Sequence, residues 1–241
     1  MKYDSTWDNL FNGSYGFNPI EANKMARQNG HSFPLEEHTF RFAETPIDKI
    51  KCVIIGMEPY ASWFIDQKGV IIPQATGRSF EVKELEGKTW LHKFKQASLR
   101  NMAKCVMLCE KGEYVTAKEF RNAIENKSFI MANPSDWFEN LSKQGVCFLN
   151  AALTVEKDKP GTGKDYWGGF GKAFVSTINQ TNQNVTWFLF GKEAQNAFLP
   201  FLENQKVVCA PHPRMAEFSK FPYFNECKDI DWTGLKEIHN E

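Results

Sequence analysis

The chain has 241 residues, 42% of them hydrophobic and 24% charged, with 29 basic residues against 29 acidic ones. This is the profile of a soluble globular protein with one large domain or two small ones. Zero net charge gives no compositional case for nucleic acid, and no run approaches the roughly 20 apolar residues of a membrane span.

The polar start, Met1-Lys2-Tyr3-Asp4-Ser5, lacks the apolar run of a signal peptide, so a cytoplasmic protein is expected, neither secreted nor inserted in a membrane. The first fifty residues are polar and aromatic, with short helices predicted near 5–11 and 19–28. After them an alternation begins. Lys51-Cys52-Val53-Ile54-Ile55-Gly56 reads as a short buried strand, β-branched and closed by a glycine. Residues 89–110 are helical in period, with Trp90, Phe94, Leu99, Met102, Val106 and Met107 recurring at three- to five-residue steps. Further helices are predicted over 116–126 and 135–144, each after a plausible N-cap. Strands follow at 145–150, 185–190 and 206–210, with helices at 169–180 and 192–202 between them. Short, apolar strands separated by helices predict an α/β fold, a three-layer α/β/α sandwich around a central four-stranded parallel sheet. In such folds ligands sit at the carboxyl ends of the strands, here Gly56 to Tyr60, Asn150 to Thr154, Gly191, and Pro211 to Arg214.

Six cysteines, at 52, 105, 109, 147, 209 and 227, show no C-x2-C spacing, and the five histidines are scattered, so no metal and no cofactor are expected. Cys52, Cys147 and Cys209 fall in apolar strands, where reduced thiols behave as small core residues. From Lys83 to Lys104 six basic residues face two acidic ones, which reads first as a solvated helix face. Gly161-Thr162-Gly163-Lys164 has the look of a phosphate loop. However, Asp165 stands where the Mg²⁺-binding hydroxyl belongs and no glycine sits at 158, so it reads as a flexible turn. Gly168-Gly169-Phe170-Gly171 lacks a preceding strand and reads as the start of a helix.

The strand ends carry a more specific pattern: Gly56-Met57-Glu58-Pro59-Tyr60-Ala61, then Phe148-Leu149-Asn150-Ala151-Ala152-Leu153-Thr154-Val155, Phe188-Leu189-Phe190-Gly191, and Ala210-Pro211-His212-Pro213. In order and spacing this resembles the family 1 uracil-DNA glycosylases of the uracil-DNA glycosylase superfamily, whose motifs are Gly-Gln-Asp-Pro-Tyr-His, Leu-Leu-Asn-x-x-Leu-Thr-Val and His-Pro-Ser-Pro-Leu-Ser. The resemblance runs from about Ile50 to Trp232, giving a single domain over 1–241: a helical extension over 1–50 and a glycosylase core over 51–232.

The resemblance implies an enzyme that flips a pyrimidine out of DNA and hydrolyses its N-glycosidic bond, leaving an abasic site. The bond breaks through an oxocarbenium-like sugar, which an anionic carboxylate stabilises, and the departing base is an anion that needs a hydrogen-bond donor. By match to the motifs, Glu58 is the carboxylate and His212 the donor. Asn150 would read the polar edge of the base, Phe80 would stack on it, Tyr60 would crowd C5, and Met57 would act through its backbone. Phosphate contacts are expected from loops near Lys83 to Lys95, Thr162 to Lys164 and Arg214 to Lys220, with Lys164, Arg214 and Lys220 in contact with DNA. Taken singly, such residues serve turns and cores; their joint placement at one sheet edge points to a site. DNA is the expected partner, the chain a monomer, and no lysine in the motifs is placed as an amine nucleophile, so strand cleavage is not expected.

Departures from the family pattern cluster around the expected base. Asp is replaced by Glu58, one methylene longer, and a misplacement of about an ångström can cost on the order of 10²-fold in rate. Gln becomes Met57, His becomes Ala61, the segment from Ala61 to Phe80 is longer, and the wedging Leu is absent, leaving Met215 or Phe218 to substitute. Three functions follow: a uracil glycosylase, a glycosylase for C5-modified (hydroxymethyl or glucosylated) cytosine acting against phage, or a DNA-binding relative without catalysis.

Overall fold

The computed structural model describes residues 3–28 and 30–236. The amino-terminal part has a 3-10 turn at Ser5–Trp7, helices α1 (Asp8–Phe11) and α2 (Pro19–Arg27), and strand β1 (Ser32–Phe33). Asn18 caps α2, its side chain accepting from the N–H groups of Ile20 and Glu21, with Pro19 preset for the first turn. There follow β2 (Cys52–Gly56), a hairpin of β3 (Trp63–Ile65) and β4 (Ile71–Pro73), and helices α3 (Ala97–Lys111), α4 (Ala117–Glu125) and α5 (Pro134–Lys143). The remainder runs β5 (Val146–Asn150), β6 (Val155–Glu156), α6 (Lys164–Trp167), α7 (Phe170–Thr181), β7 (Thr186–Phe190), α8 (Lys192–Phe198) and β8 (Lys206–Ala210).

The central sheet has the order β5-β2-β7-β8, with every pairing parallel. Alternation in the strands divides the core in two. Cys52, Ile54, Val146, Phe148, Phe188 and Phe190 face the layer formed by α3, α4 and α5. Val53, Ile55, Cys147, Leu149, Trp187 and Leu189 face α7, α8 and the amino-terminal segment, where Trp7, Phe42 and Phe174 meet ring to ring. Both faces are covered, so β2, β5 and β7 carry continuous apolar runs, as a doubly covered parallel sheet requires. The predicted α/β/α sandwich is the observed architecture.

The differences have local causes. Residues 89–96 are not helical, and α3 begins at Ala97. The apolar period there comes from a loop: Trp90 is buried, and its indole N–H donates to the Ala132 carbonyl at 2.7 Å. Lys104 is buried too, with its ammonium 5.6 Å from the Tyr114 ring centre, so this stretch is not one solvated face. Cys209 is exposed because β8 is the edge strand, while Cys52 and Cys147 are buried as expected. Gly169 is the N-cap of α7, so the glycine-rich segment does lead into a helix. The β3–β4 hairpin and the two-residue β1–β6 pair were outside the sequence expectations.

Candidate active site

The carboxyl ends of β2, β5, β7 and β8 open onto one cavity of roughly 550 Å³. Its wall includes Met57, Glu58, Tyr60, Phe80, Asn150 and His212. These residues are scattered over more than 150 positions of sequence; the parallel sheet brings Met57, Glu58, Tyr60, Asn150 and His212 together because each follows or ends one of its strands, while Phe80 comes from the loop after the β3–β4 hairpin.

Gly56 ends β2 where the chain must pass close to its neighbours. A Cβ there would lie 2.7 Å from Oδ1 of Asn150 and 3.0 Å from the Ser79 side chain. Asn150 is 4% exposed, at the end of β5. Phe80 sits beside them with φ of +65°, a left-handed conformation that a bulky residue adopts only under constraint. Part of that constraint is visible: the Ser79 hydroxyl donates to the Ile54 carbonyl at 3.2 Å. The Phe80 ring faces the His212 imidazole, with centres 6.0 Å apart and planes at 60°.

His212 follows β8. Its Nδ1 accepts the Arg214 N–H at 3.1 Å, so in the neutral ring the proton is on Nε2, which is then a donor. Burial, assisted by the Arg214 charge, moves its pKa below the usual value and favours the neutral ring. Asn101 on α3 secures this loop by donating to the carbonyls of Pro213 at 2.7 Å and Met215 at 3.2 Å.

Glu58 is half-buried. Burial raises its pKa, opposed by the backbone N–H groups of Gly161 and Gly163 and by the Lys164 charge. The Gly161 N–H donates to Oε1 at 2.6 Å. Gly163 lets the same turn pack against the segment after β5, since a Cβ there would lie 2.2 Å from the Thr154 carbonyl. The Gly-Thr-Gly-Lys segment is thus a built cradle for the carboxylate, not the flexible turn its failed match to a phosphate loop suggested. Burial pushes the Tyr60 phenol up to about 12, so its hydroxyl is un-ionised at neutral pH.

Among the candidate DNA contacts, Arg214 lines the cavity, and Lys164, Met215 and Lys220 are exposed. Phe218 is not available as a wedge. It is fully buried, 4.8 Å from the Phe190 ring and 5.2 Å from that of Tyr223, because the 3-10 turn Ala216–Lys220 folds it under α3. Met215, by contrast, is 47% exposed. Sequence reasoning missed Gly161, Gly163 and Asn101, as well as Ser98, Lys192 and Glu193 on the cavity wall. The glycines had a signal in their spacing, set aside with the phosphate loop.

A profile of the uracil DNA glycosylase superfamily matches residues 42–236. The chain belongs to that superfamily. It is 30% identical over 223 residues to a uracil-DNA glycosylase of Buchnera aphidicola, covering 91% of this chain and 84% of that one. A uracil-DNA glycosylase of Mesomycoplasma hyopneumoniae is 31% identical over 191 residues, 78% of this chain and 71% of the relative. The fold is similar to the crystal structure of the UNG of Nitratifractor salsuginis, with a TM-score of 0.72, 18% identity and coverage of 97% of this chain and 92% of that one. It is also similar to the mimivirus uracil-DNA glycosylase, with a TM-score of 0.67, 16% identity and coverage of 93% and 82%.

Proposed function

We propose that this protein is a monofunctional DNA glycosylase that flips deoxyuridine out of DNA and hydrolyses its N-glycosidic bond. The observation that carries this reading is the convergence of Glu58, Phe80, Asn150 and His212 on one cavity at the carboxyl edge of the sheet. The superfamily membership supports it.

In this reading the extruded base stacks on Phe80, and the Asn150 amide pairs with its polar edge. The His212 Nε2–H donates to O2 as negative charge develops there, and a neutral imidazole does this without a proton transfer. Glu58, anionic, lies against the sugar and stabilises the oxocarbenium character at C1′. Water adds to C1′ and gives up a proton, the base leaves and is protonated, and the products are free uracil and an abasic site. The reaction needs only water. Tyr60 crowds C5 and disfavours thymine. Lys164, Arg214 and Lys220 supply phosphate contacts, and binding should weaken as salt rises.

A C5-modified cytosine is the second reading, favoured by Ala61, a small residue on the cavity wall at the base of the inserted hairpin. A role in defence against phage rests on that second specificity. The deciding experiment is alkaline cleavage of labelled oligonucleotides carrying uracil, thymine, cytosine, hydroxymethylcytosine or its glucosylated form, with Glu58→Gln as control. Cleavage at uracil is expected. Cleavage only at a modified cytosine would transfer the function to the second reading, and intact DNA binding without any cleavage would leave a binding protein.

A further inference from the structure

The turn that holds Glu58 is itself held by segments outside the strand-end motifs. From the amino-terminal side, β1 pairs with β6, and the Lys157 N–H donates to the His31 carbonyl at 2.8 Å. From the other side comes the hairpin inserted between Ala61 and Phe80. The Asp158 N–H donates to the Ala61 carbonyl at 3.0 Å, and the Trp63 indole N–H donates to both Asp158 carboxylate oxygens, at 2.9 and 3.0 Å. The Lys157 ammonium lies 4.1 Å from the centre of the same indole, whose ring packs against Phe33, Ala75 and Val155. Asp158 and Gly161 both have left-handed backbone, with φ of +63° and +92°. The chain therefore reverses tightly between the clamp at Asp158 and the N–H on Glu58.

We propose that Trp63 is a positioning residue for Glu58: through Asp158 it fixes the turn whose Gly161 N–H holds the carboxylate. This rests on the reading of Glu58 as the carboxylate of a glycosylase. The hairpin and the longer side chain are then parts of one change. Glutamate has one more rotatable bond than aspartate and so more positions to exclude, and a donor fixed from outside excludes them. The other charged or titratable groups near Glu58 are Lys164 from α6 and, across the cavity, Tyr60, Lys192, Glu193, His212 and Arg214. None of these lies on the hairpin.

The test compares Trp63→Phe, Asp158→Ala and Asp158→Asn. Trp63→Phe keeps a ring on Phe33 and removes only the donor. Loss of the clamp should lower kcat on a uracil oligonucleotide roughly tenfold or more in Trp63→Phe and Asp158→Ala, with KM held within about twofold. In both, Glu58 should titrate at higher pH, because the N–H that favours its anion is displaced. Asp158→Asn keeps an acceptor oxygen and should behave as the parent. Glu58 titration is followed by 13C NMR of labelled glutamate, assigned with Glu58→Gln, and needs no turnover. A parent inactive on every oligonucleotide would defeat the glycosylase reading, and the titration would still decide the clamp. Parent-like kcat and titration in both disruptive variants would overturn the proposal, as would a rise in KM alone, which would make the hairpin a DNA contact.

Discussion

Replacing Arg78 by leucine probes how the loop that presents Phe80 is held. Arg78 and Glu81 flank the left-handed Phe80, and both are nearly buried, with side chains 8% and 9% exposed. They pair with each other across the loop, Nη1 to Oε1 at 3.6 Å. Arg78 also reaches Glu139 on α5 at 2.7 Å, while Glu81 accepts from the Thr76 hydroxyl at 2.6 Å and from Arg41 at 3.4 Å. Removing Arg78 leaves Glu81 as a buried carboxylate short of one cation. Breaking such a pair from one side costs about 3–5 kcal/mol. Each kcal/mol moves Tm by about 2–4 °C in a chain of this size, so Arg78→Leu should lower Tm by roughly 6–20 °C.

Glu139 is the internal control, because its side chain is 44% exposed. Glu139→Ala removes a half-solvated partner and should cost at most about 1 kcal/mol, or about 4 °C. Adding Glu81→Gln to Arg78→Leu removes the stranded charge and should recover part of the loss. Differential scanning calorimetry at neutral pH reads all three. Phe80 pays about 1–2 kcal/mol for its backbone, so release of the loop should also raise KM for uracil DNA. If Arg78→Leu melts no lower than Glu139→Ala, the buried network does not hold the loop, and the reasoning fails.

Four further outcomes follow from the site. The proposed mechanism needs ionised Glu58 and neutral His212, whose pKa values lie above and below their ordinary 4.5 and 6.5. The rate should therefore fall on the acid side of neutrality and hold above it, and a maximum at pH 5 would contradict both roles. Because the folded pKa of Glu58 is raised, its stabilising contribution is full below 4.5 and is lost as pH rises through the folded value. Glu58→Gln should thus abolish cleavage without lowering Tm at pH 7, and a clear drop in Tm would refute this. Gly56→Ala puts a methyl 2.7 Å from Asn150 Oδ1 and should lower kcat/KM by roughly 10- to 100-fold, with unchanged kinetics counting against Asn150 as the base reader. Phe218→Ala should cost about 3–5 kcal/mol in stability, whereas Met215→Ala should spare Tm and weaken duplex binding; the reverse pattern would restore Phe218 as the wedge.

The central strands were legible because burial on both faces leaves almost nothing but apolar residues, and the chain leaves β2, β5 and β7 at Gly56, Asn150 and Gly191, which line the cavity. The positions of Glu58, Asn150 and His212 were legible for the same reason, since a parallel sheet converts strand ends into neighbours. Trp90 misled because a buried loop ring has the same spacing as a helical one. Phe218 misled because sequence shows an aromatic near the loop after β8 but not which way the turn rolls it. The contacts around the Glu58 turn were invisible, since one joins Trp63 to Asp158 side chain to side chain across 95 positions and the other brings the Gly161 N–H to Glu58 across 103, with no motif linking them.

That last point bears on how a lengthened carboxylate can work. One extra methylene need not displace the charge if the backbone that receives it also moves, and here the receiving N–H belongs to Gly161 on a turn pinned from two sides. The same contact has an electrostatic side: burial alone would favour the neutral acid, and the Gly161 and Gly163 N–H groups with Lys164 pull the balance back toward the anion. Position and charge state are thus set by one cradle. A substitution that loosens the cradle should therefore degrade both together, and one that merely shortens the side chain, Glu58→Asp, should not restore the family's geometry. The shorter carboxylate would lose the Gly161 N–H at 2.6 Å. It should give a slower enzyme than Glu58, and a faster one in the same cleavage assay would show that the cradle does not compensate for the longer side chain.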